Sequence, residues 1–177
     1  METLRRLYPY NGWANARVLA LCRDLPPEAL TEDAAGTQGS IASTIKHLIA
    51  VEAFYLAILQ GSDPTQGYAT RDEYFAHDID WFFEQPAALA DGYAQLLAAS
   101  DEAALTRLIQ LPWFGFPFTA HDGLVQVLMH SALHRAQLLS ALGARGVAVP
   151  DLDYVLMLGE TQAAAADRPA LPTACCP

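Results

Sequence analysis

Two histidines four residues apart carry the clearest chemical signal in this chain. His130 and His134 lie in the mostly apolar stretch Gly123–Leu142, which predicts a helix. Residues four apart on an α-helix return to within roughly 40° around the helix axis, about one turn apart. Both imidazoles can therefore point at one place, and neutral imidazole is a common ligand of divalent transition metals. The spacing indicates a metal site.

A third ligand has to come from another part of the chain, because a catalytic metal site uses about three protein ligands and leaves a position open. His47 is the best candidate, since it also lies in an apolar helical pattern, Ser40–Glu52. His77 and His121 lie near the ends of their segments and are weaker candidates. The alternative interpretation is that His130 and His134 are ordinary hydrogen-bonded histidines on a helix.

Length, composition and charge narrow the classes of function. The 177 residues are 53% hydrophobic and 17% charged, which is typical of one globular domain with a sound core. The net charge of −10 would repel a phosphate backbone, and the chain has no basic stripe. The N-terminus lacks the apolar run of a signal peptide, and no uninterrupted apolar stretch is long enough to span a bilayer. We therefore expect a cytoplasmic protein that binds neither nucleic acid nor membrane.

The three cysteines agree with a reducing compartment. Cys22 lies on the apolar side of the first predicted helix, whereas Cys175 and Cys176 are adjacent in a terminal segment rich in Ala and Pro. Adjacent cysteines rarely form a structural disulfide, and no Cys-x-x-Cys motif is present. We expect ordinary reduced thiols.

The first two predicted helices are recognised by apolar residues at intervals of three and four. The first runs from about Thr3 to Arg23, and Pro9 should either kink it or mark its start. The second begins after Ser40, a natural N-cap, and stops at Gly61.

A long crossover should connect the second helix to the third. It runs from Ser62 to Gln85 and is expected to contain a short helix. Pro86 suits the first turn of the third helix, which continues to about Ala99. The following residues, 101–109, either extend that helix or form a short piece of their own. The segment Leu111–Phe118 has two prolines and a glycine and cannot be a regular helix.

The fourth helix should begin at a capping box formed by Thr119 and Asp122, and end by Gly143 or Gly146. A short terminal element, 150–158, is expected to pack on the bundle. Because no strand alternation or repeat is evident, the sequence predicts an all-α helical bundle. Residues 1–160 would form this metal-binding domain, and residues 161–177 a flexible tail rich in Ala and Pro.

Four motifs together resemble the DinB/YfiT-like family of metal-dependent enzymes. They are Tyr10–Arg17, Ser40–Leu48, His130–Gln137 and Leu152–Tyr154, and their order covers most of residues 8 to 158. The resemblance implies a four-helix bundle with up-down-down-up topology that is often dimeric. It also implies a divalent metal held by His47, His130 and His134, for which we expect zinc or nickel.

The three-histidine ligand set bears on the class of reaction that the metal would support. Some thiol-transferring relatives have Glu where this chain has His130, and an all-His set keeps the full +2 charge on the metal. We therefore expect a hydrolase acting on a small-molecule substrate. The alternatives are a metal-dependent transferase of a low-molecular-weight thiol and a non-catalytic metal-binding or scaffold protein. Gln126 could orient a ligand water, while Glu52 lies about one turn beyond His47 without being identifiable as a general base.

The sequence leaves more than one role for several other polar and aromatic side chains. Trp13, Asn15 and Arg17 either line the site or hold helices together, and we favour the structural role. The aromatic segment Trp113–Phe118 could be a lid, a hydrophobic plug or a dimer surface. Together with Trp81–Phe83 and the resemblance, it predicts a homodimer. Two further carboxylates next to His77, those of Asp78 and Asp80, are expected to be solvated charges.

Overall fold

Four long helices dominate the fold. The computed structural model describes residues 1–69 and 71–166, and α1, α3, α6 and α8 pack side by side along their lengths. The prediction of an all-α bundle is therefore confirmed. In chain order the elements are α1 (Glu2–Arg23), α2 (Pro27–Thr31), β1 (Asp33–Gln38), α3 (Ile41–Leu59), α4 (Pro64–Ala69), α5 (Arg71–Phe75), α6 (Ile79–Ala99), α7 (Glu102–Thr106), β2 (Leu108–Ile109), β3 (Phe118–Thr119), α8 (Ala120–Ala144) and α9 (Tyr154–Ala166).

Side-chain contacts show that α1 and α8 run in the same direction. The Tyr8 hydroxyl, in the first half of α1, donates to the carbonyl of Leu124 near the start of α8, at 2.9 Å. Further along both helices, Arg135 donates to the side-chain oxygen of Asn15 at 2.8 Å. Later residues of α1 thus meet later residues of α8.

Helix α6 runs against α1. Arg5, near the start of α1, donates to the carbonyl of Leu97 near the end of α6, at 3.1 Å. Arg23, at the end of α1, forms an ion pair with Glu84 near the start of α6.

Helices α3 and α6 are parallel. Lys46 lies over the Phe82 ring near the start of both helices, and the Tyr93 hydroxyl further along α6 donates to the carbonyl of Glu52 on α3, at 2.8 Å. With α1 and α8 running the other way, the topology is up-down-down-up, as the resemblance implies. The parallel pair needs the long crossover, and the part of it that the structure describes contains two short helices, α4 and α5, rather than one.

Local capping sets the starts of α3 and α8 as predicted. The Ser40 hydroxyl accepts a hydrogen bond from the backbone N–H of Ser43, which satisfies a donor exposed at the start of α3. Thr119 and Asp122 form a full capping box at the start of α8, because each side chain accepts from the other residue's backbone N–H.

The predicted start of the third helix at Pro86 was wrong. Helix α6 begins at Ile79, where the Asp78 carboxylate accepts from the backbone N–H of Trp81 at 2.9 Å and acts as the N-cap. Phe82 in the first turn is fully buried. This cap and the burial of the first turns outweigh the hydrogen bond lost at Pro86, which lies inside the helix.

Other differences from the predicted elements are small. Helix α1 runs through Pro9 without ending, and residues 102–106 form the separate helix α7. Strands β2 and β3 pair antiparallel, Leu108 with Thr119 and Ile109 with Phe118. Two-residue strands are too short to show the alternation by which strands are recognised in a sequence.

The C-terminal helix is longer than predicted. Helix α9 continues through Ala166, so residues 161–166 are helical rather than part of an irregular tail. Its alanine-rich sequence favours a helix, and Glu160 accepts a hydrogen bond from Trp13 Nε1 of α1 at 2.9 Å. The remainder of the predicted tail, including Cys175 and Cys176, lies outside the described residues.

Cys22, on α1, is a buried free thiol, and burial raises its pKa to about 12.

Helix α3 packs against α6 and α8 in the bundle. By length and composition it could cross a membrane, but its apolar residues contribute to two buried clusters shared with the other long helices. It also carries a buried carboxylate, Glu52, and the half-buried His47. These contacts show that α3 packs into the core of the bundle.

Candidate metal centre

The three histidines predicted from the sequence meet between α3 and α8. His47 lies on α3, and His130 and His134 lie one turn apart on α8. The Nε2 atom of His130 is 3.0 Å from the Nε2 atoms of both other rings. One potential ligand atom from each ring lies within 4.8 Å of the others. The structure therefore brings together the candidate set His47, His130 and His134.

Hydrogen bonding between the rings cannot account for this arrangement alone. A ring nitrogen carries either one hydrogen or one lone pair in the ring plane, so His130 Nε2 can form one good hydrogen bond but not two. Nitrogens bound tetrahedrally to one zinc ion at about 2.0–2.1 Å are themselves about 3.3 Å apart. The observed separations are close to that spacing. Three neutral imidazoles also form a donor set suited to zinc, nickel, copper or iron.

A neighbouring amide sets the tautomer of His134. The Nδ1 atom of this nearly fully buried ring is 2.7 Å from Oε1 of Gln137. An amide oxygen only accepts hydrogen bonds, so Nδ1 carries the hydrogen and Nε2 keeps its lone pair. That is the nitrogen that faces His130. Metal-binding histidines are commonly oriented by such a bond on the far side of the ring.

His130 is held in its neutral form. Burial lowers its pKa to about 3, with further contributions from the neighbouring His134 and His47. At neutral pH the ring therefore keeps the lone pair on its unprotonated nitrogen. On the other side of the ring, Nδ1 is buried and lacks a hydrogen-bond partner in the described part of the chain.

The two weaker candidate ligands lie elsewhere. The His77 ring stacks on Trp81 with 4.2 Å between ring centroids, at the start of α6. His121 is exposed in the first turn of α8, more than two turns before His130. Neither belongs to the three-histidine cluster.

A buried polar network adjoins the histidines, and its role was not recognised in the sequence. Its members are less than 9% exposed and come from three helices; we call them the Glu52 network: Asn11, Asn15, Glu52, Ser131 and Arg135. Glu52 Oε1 accepts hydrogen bonds from Ser131 Oγ at 2.5 Å and from both asparagine Nδ2 atoms at 2.8 Å. The only sequence signal was polar residues on otherwise apolar helix faces.

Arg135 completes the Glu52 network on the side of α8. Its Nη1 donates to the side-chain oxygens of Asn11 at 2.5 Å and Asn15 at 2.8 Å. Its guanidinium lies 5.7 Å from the centroid of the Tyr10 ring. Desolvation lowers the pKa of Arg135, and the nearby Tyr10 and Glu52 oppose that shift.

Trp13 and Arg17 have a structural role, which is the favoured interpretation from the sequence. Both donate to the carboxylate of Glu160 and so attach α9 to α1. The Arg17 guanidinium also lies 4.4 Å from the Trp13 ring centroid. Asn15, grouped with them in the sequence, instead belongs to the Glu52 network beside the histidines.

The aromatic segment Trp113–Phe118 is divided between contact and exposure. The Trp113 ring contacts Phe54 of α3, with 5.6 Å between centroids, and Phe118 packs near Tyr55. Phe116, by contrast, is 62% exposed. The segment therefore packs partly on α3 and presents aromatic surface to solvent, which leaves its predicted role as lid, plug or dimer surface undecided.

Comparison with known proteins agrees with the geometry. The profile of the DinB family matches residues 1–166. Protein DinB of Bacillus subtilis (strain 168) is 24% identical over 162 residues, which cover 89% of this chain and 94% of that protein. A helical bundle with three converging histidines is compatible with a metal-binding protein of this kind. On the match over nearly its whole length, the chain belongs to the DinB family.

Proposed function

We propose that this protein is a metal-dependent hydrolase of small molecules, with a divalent ion held by His47, His130 and His134. The observation that carries the proposal is the convergence of three imidazole nitrogens between α3 and α8. Gln137 and the low pKa of His130 support it, because both leave ring lone pairs available to a metal. We further propose zinc or nickel as the ion.

The exposure of the site supports a catalytic rather than a structural ion. His134 is nearly fully buried, but His47 and His130 are partly exposed, so the cluster is not wholly enclosed by the bundle. Three protein ligands leave room for a water or substrate, as catalytic sites do. When bound, a divalent ion supplies Lewis acidity that activates water or polarises a carbonyl. The chain's own part is to hold the three rings and keep them neutral.

No side chain is assigned as the general base. Glu52 is the nearest candidate from the sequence, but its Oε1 accepts hydrogen bonds from three donors inside the bundle. Gln126 is exposed on α8, and an amide is a poor base. The proposed hydrolase therefore depends on the acidity of the metal-bound water.

The test compares metal-loaded and metal-free protein. Each form is screened by thermal shift against small amides, esters and low-molecular-weight thiols, and every ligand that shifts the melting temperature is then assayed for turnover. Hydrolysis of an amide or ester by the loaded form alone supports the proposal. A shift with a thiol and transfer of that thiol would replace it with a transferase. No shift and no turnover in either form would favour a non-catalytic scaffold.

We also propose that the protein is a cytoplasmic homodimer. Support for the dimer comes from the exposed aromatic surface of the segment 113–118, where Trp113 is 44% and Phe116 62% exposed. Exposed apolar groups of this kind commonly mark protein interfaces. The reduced, buried Cys22 supports a reducing compartment.

A further inference from the structure

We propose that the Glu52 network is the positioning device of the metal centre: it sets the rotation of α8 so that His130 and His134 face His47. This inference rests on the proposed metal site. It assigns to Asn11, Asn15, Glu52, Ser131 and Arg135 a role beyond holding the helices together. The hydrogen bonds of the network join α1, α3 and α8, so we assign its action to the backbone of the helices that carry the rings.

The placement of the network along the two helices is the first argument. Ser131 and Arg135 each follow one of the α8 histidines by a single residue, and they lie four residues apart. They therefore share one face of α8, turned about 100° from the face of the histidines. Both are tied to partners across the bundle. Two consecutive turns of α8 are thus anchored at the positions next to the two rings.

The link to α3 is direct. Ser131 Oγ donates to Glu52 Oε1 at 2.5 Å, and Glu52 lies five residues after His47 on α3. Rotation of α8 about its axis would stretch this bond and move His130 away from His47 in the same motion. The 3.0 Å separation of the two Nε2 atoms therefore depends on the same helix contact as the Ser131 to Glu52 bond.

The hydrogen bonds of the Glu52 network favour one rotation of α8 relative to α1 and α3. Asn11 and Asn15 each donate through Nδ2 to Glu52 and accept through Oδ1 from Arg135, so both ends of both amides are used. Apolar side chains tolerate small rotations of a helix, whereas a buried polar group that loses its partner is costly. Buried polar groups can select one helix arrangement in this way.

The experiment uses Co²⁺ as the probe, because its visible absorption reports the geometry of the ligands. Apo protein is titrated with Co²⁺ for the wild type, Ser131→Ala and Glu52→Gln, and the melting temperature of each apo variant is measured in parallel. Ser140→Ala, on the exposed side of the same helix, is the matched control. We expect Co²⁺ binding to weaken about tenfold in Ser131→Ala and up to about 100-fold in Glu52→Gln, the range known for residues that support metal ligands. The absorption bands should shift in both, and Ser140→Ala should match the wild type.

The outcomes separate the two proposals. If Ser131→Ala and Glu52→Gln fold and bind Co²⁺ with the affinity and spectrum of the wild type, the network only stabilises the bundle and the inference is overturned. If Glu52→Gln does not fold, Ser131→Ala decides the question in the same way. If the wild type itself binds neither Co²⁺, Zn²⁺ nor Ni²⁺, the metal site fails and the inference fails with it.

Discussion

His134 Nδ1 lies 2.7 Å from Gln137 Oε1, less than one turn further along the same helix. Since the amide oxygen accepts, this contact keeps the Nε2 lone pair of His134 directed at the other two imidazoles. The side chain that selects the tautomer and the side chain that would bind the metal thus come from one short stretch of α8. The same helix also carries His130, so α8 supplies most of the site.

Removing the side-chain amide of Gln137 should weaken metal binding without abolishing it. For Gln137→Ala we expect a rise of about tenfold in the metal dissociation constant, because the tautomer and orientation of His134 are no longer held. Competition with a coloured chelator measures it. Gln95→Ala, an exposed glutamine on α6, is the matched control and should bind as the wild type does. Equal affinity in Gln137→Ala and the control would contradict this role.

Removing a ligand should empty the site. Protein purified without chelator should contain close to one zinc or nickel ion per chain, and His134→Ala should lose most of it, because two imidazoles hold such ions poorly. Elemental analysis of the purified protein gives the stoichiometry. His121→Ala removes an exposed histidine from the start of the same helix and should keep the metal. Full metal content in His134→Ala would exclude His134 as a ligand.

Metal-free protein should lose stability as the pH falls below about 6.5, the ordinary pKa of histidine in an unfolded chain. Burial and the neighbouring imidazoles lower the pKa of folded His130 to about 3. Between these two values the unfolded chain binds a proton at this position that the folded chain does not, so the free energy of unfolding decreases with decreasing pH. Above about 6.5 this contribution is constant.

The pH dependence of the free energy of unfolding is measured by urea denaturation of metal-free wild type and metal-free His130→Gln at a series of pH values. The variant lacks the titrating ring, so its stability should depend less on pH between about 6.5 and 3. Identical pH dependence of the two proteins would show that His130 does not titrate as described.

The dimer proposal predicts a concentration-dependent mass. Light scattering at micromolar concentration should give twice the mass of the 19.2 kDa chain. Phe116→Ser should shift the mass towards the monomer, because it removes exposed apolar surface from the proposed interface. Val155→Ser, at a similarly exposed residue on α9, should remain dimeric. A monomeric wild type would rule the dimer out.

The amino-acid sequence by itself determined the elements whose signals are local. The i, i+4 spacing of His130 and His134, the Ser40 cap and the Thr119 to Asp122 capping box each depend on residues within one or two turns, and the structure has α3 and α8 where these signals put them. The apolar pattern around His47 likewise placed it on the second long helix. Such features follow from helix geometry, which needs no information from distant residues.

Only the tertiary structure decided what depends on contacts between helices. Helix α6 begins at Ile79 because Asp78 caps it and Phe82 is buried against the other helices, and burial cannot be read from the local pattern around Pro86. Likewise, Glu52 is separated by 37 residues or more from Asn15, Asn11 and Ser131, its hydrogen-bond partners. A buried carboxylate with donors that far away has no periodic signal. It becomes recognisable only when the bundle brings three helices together.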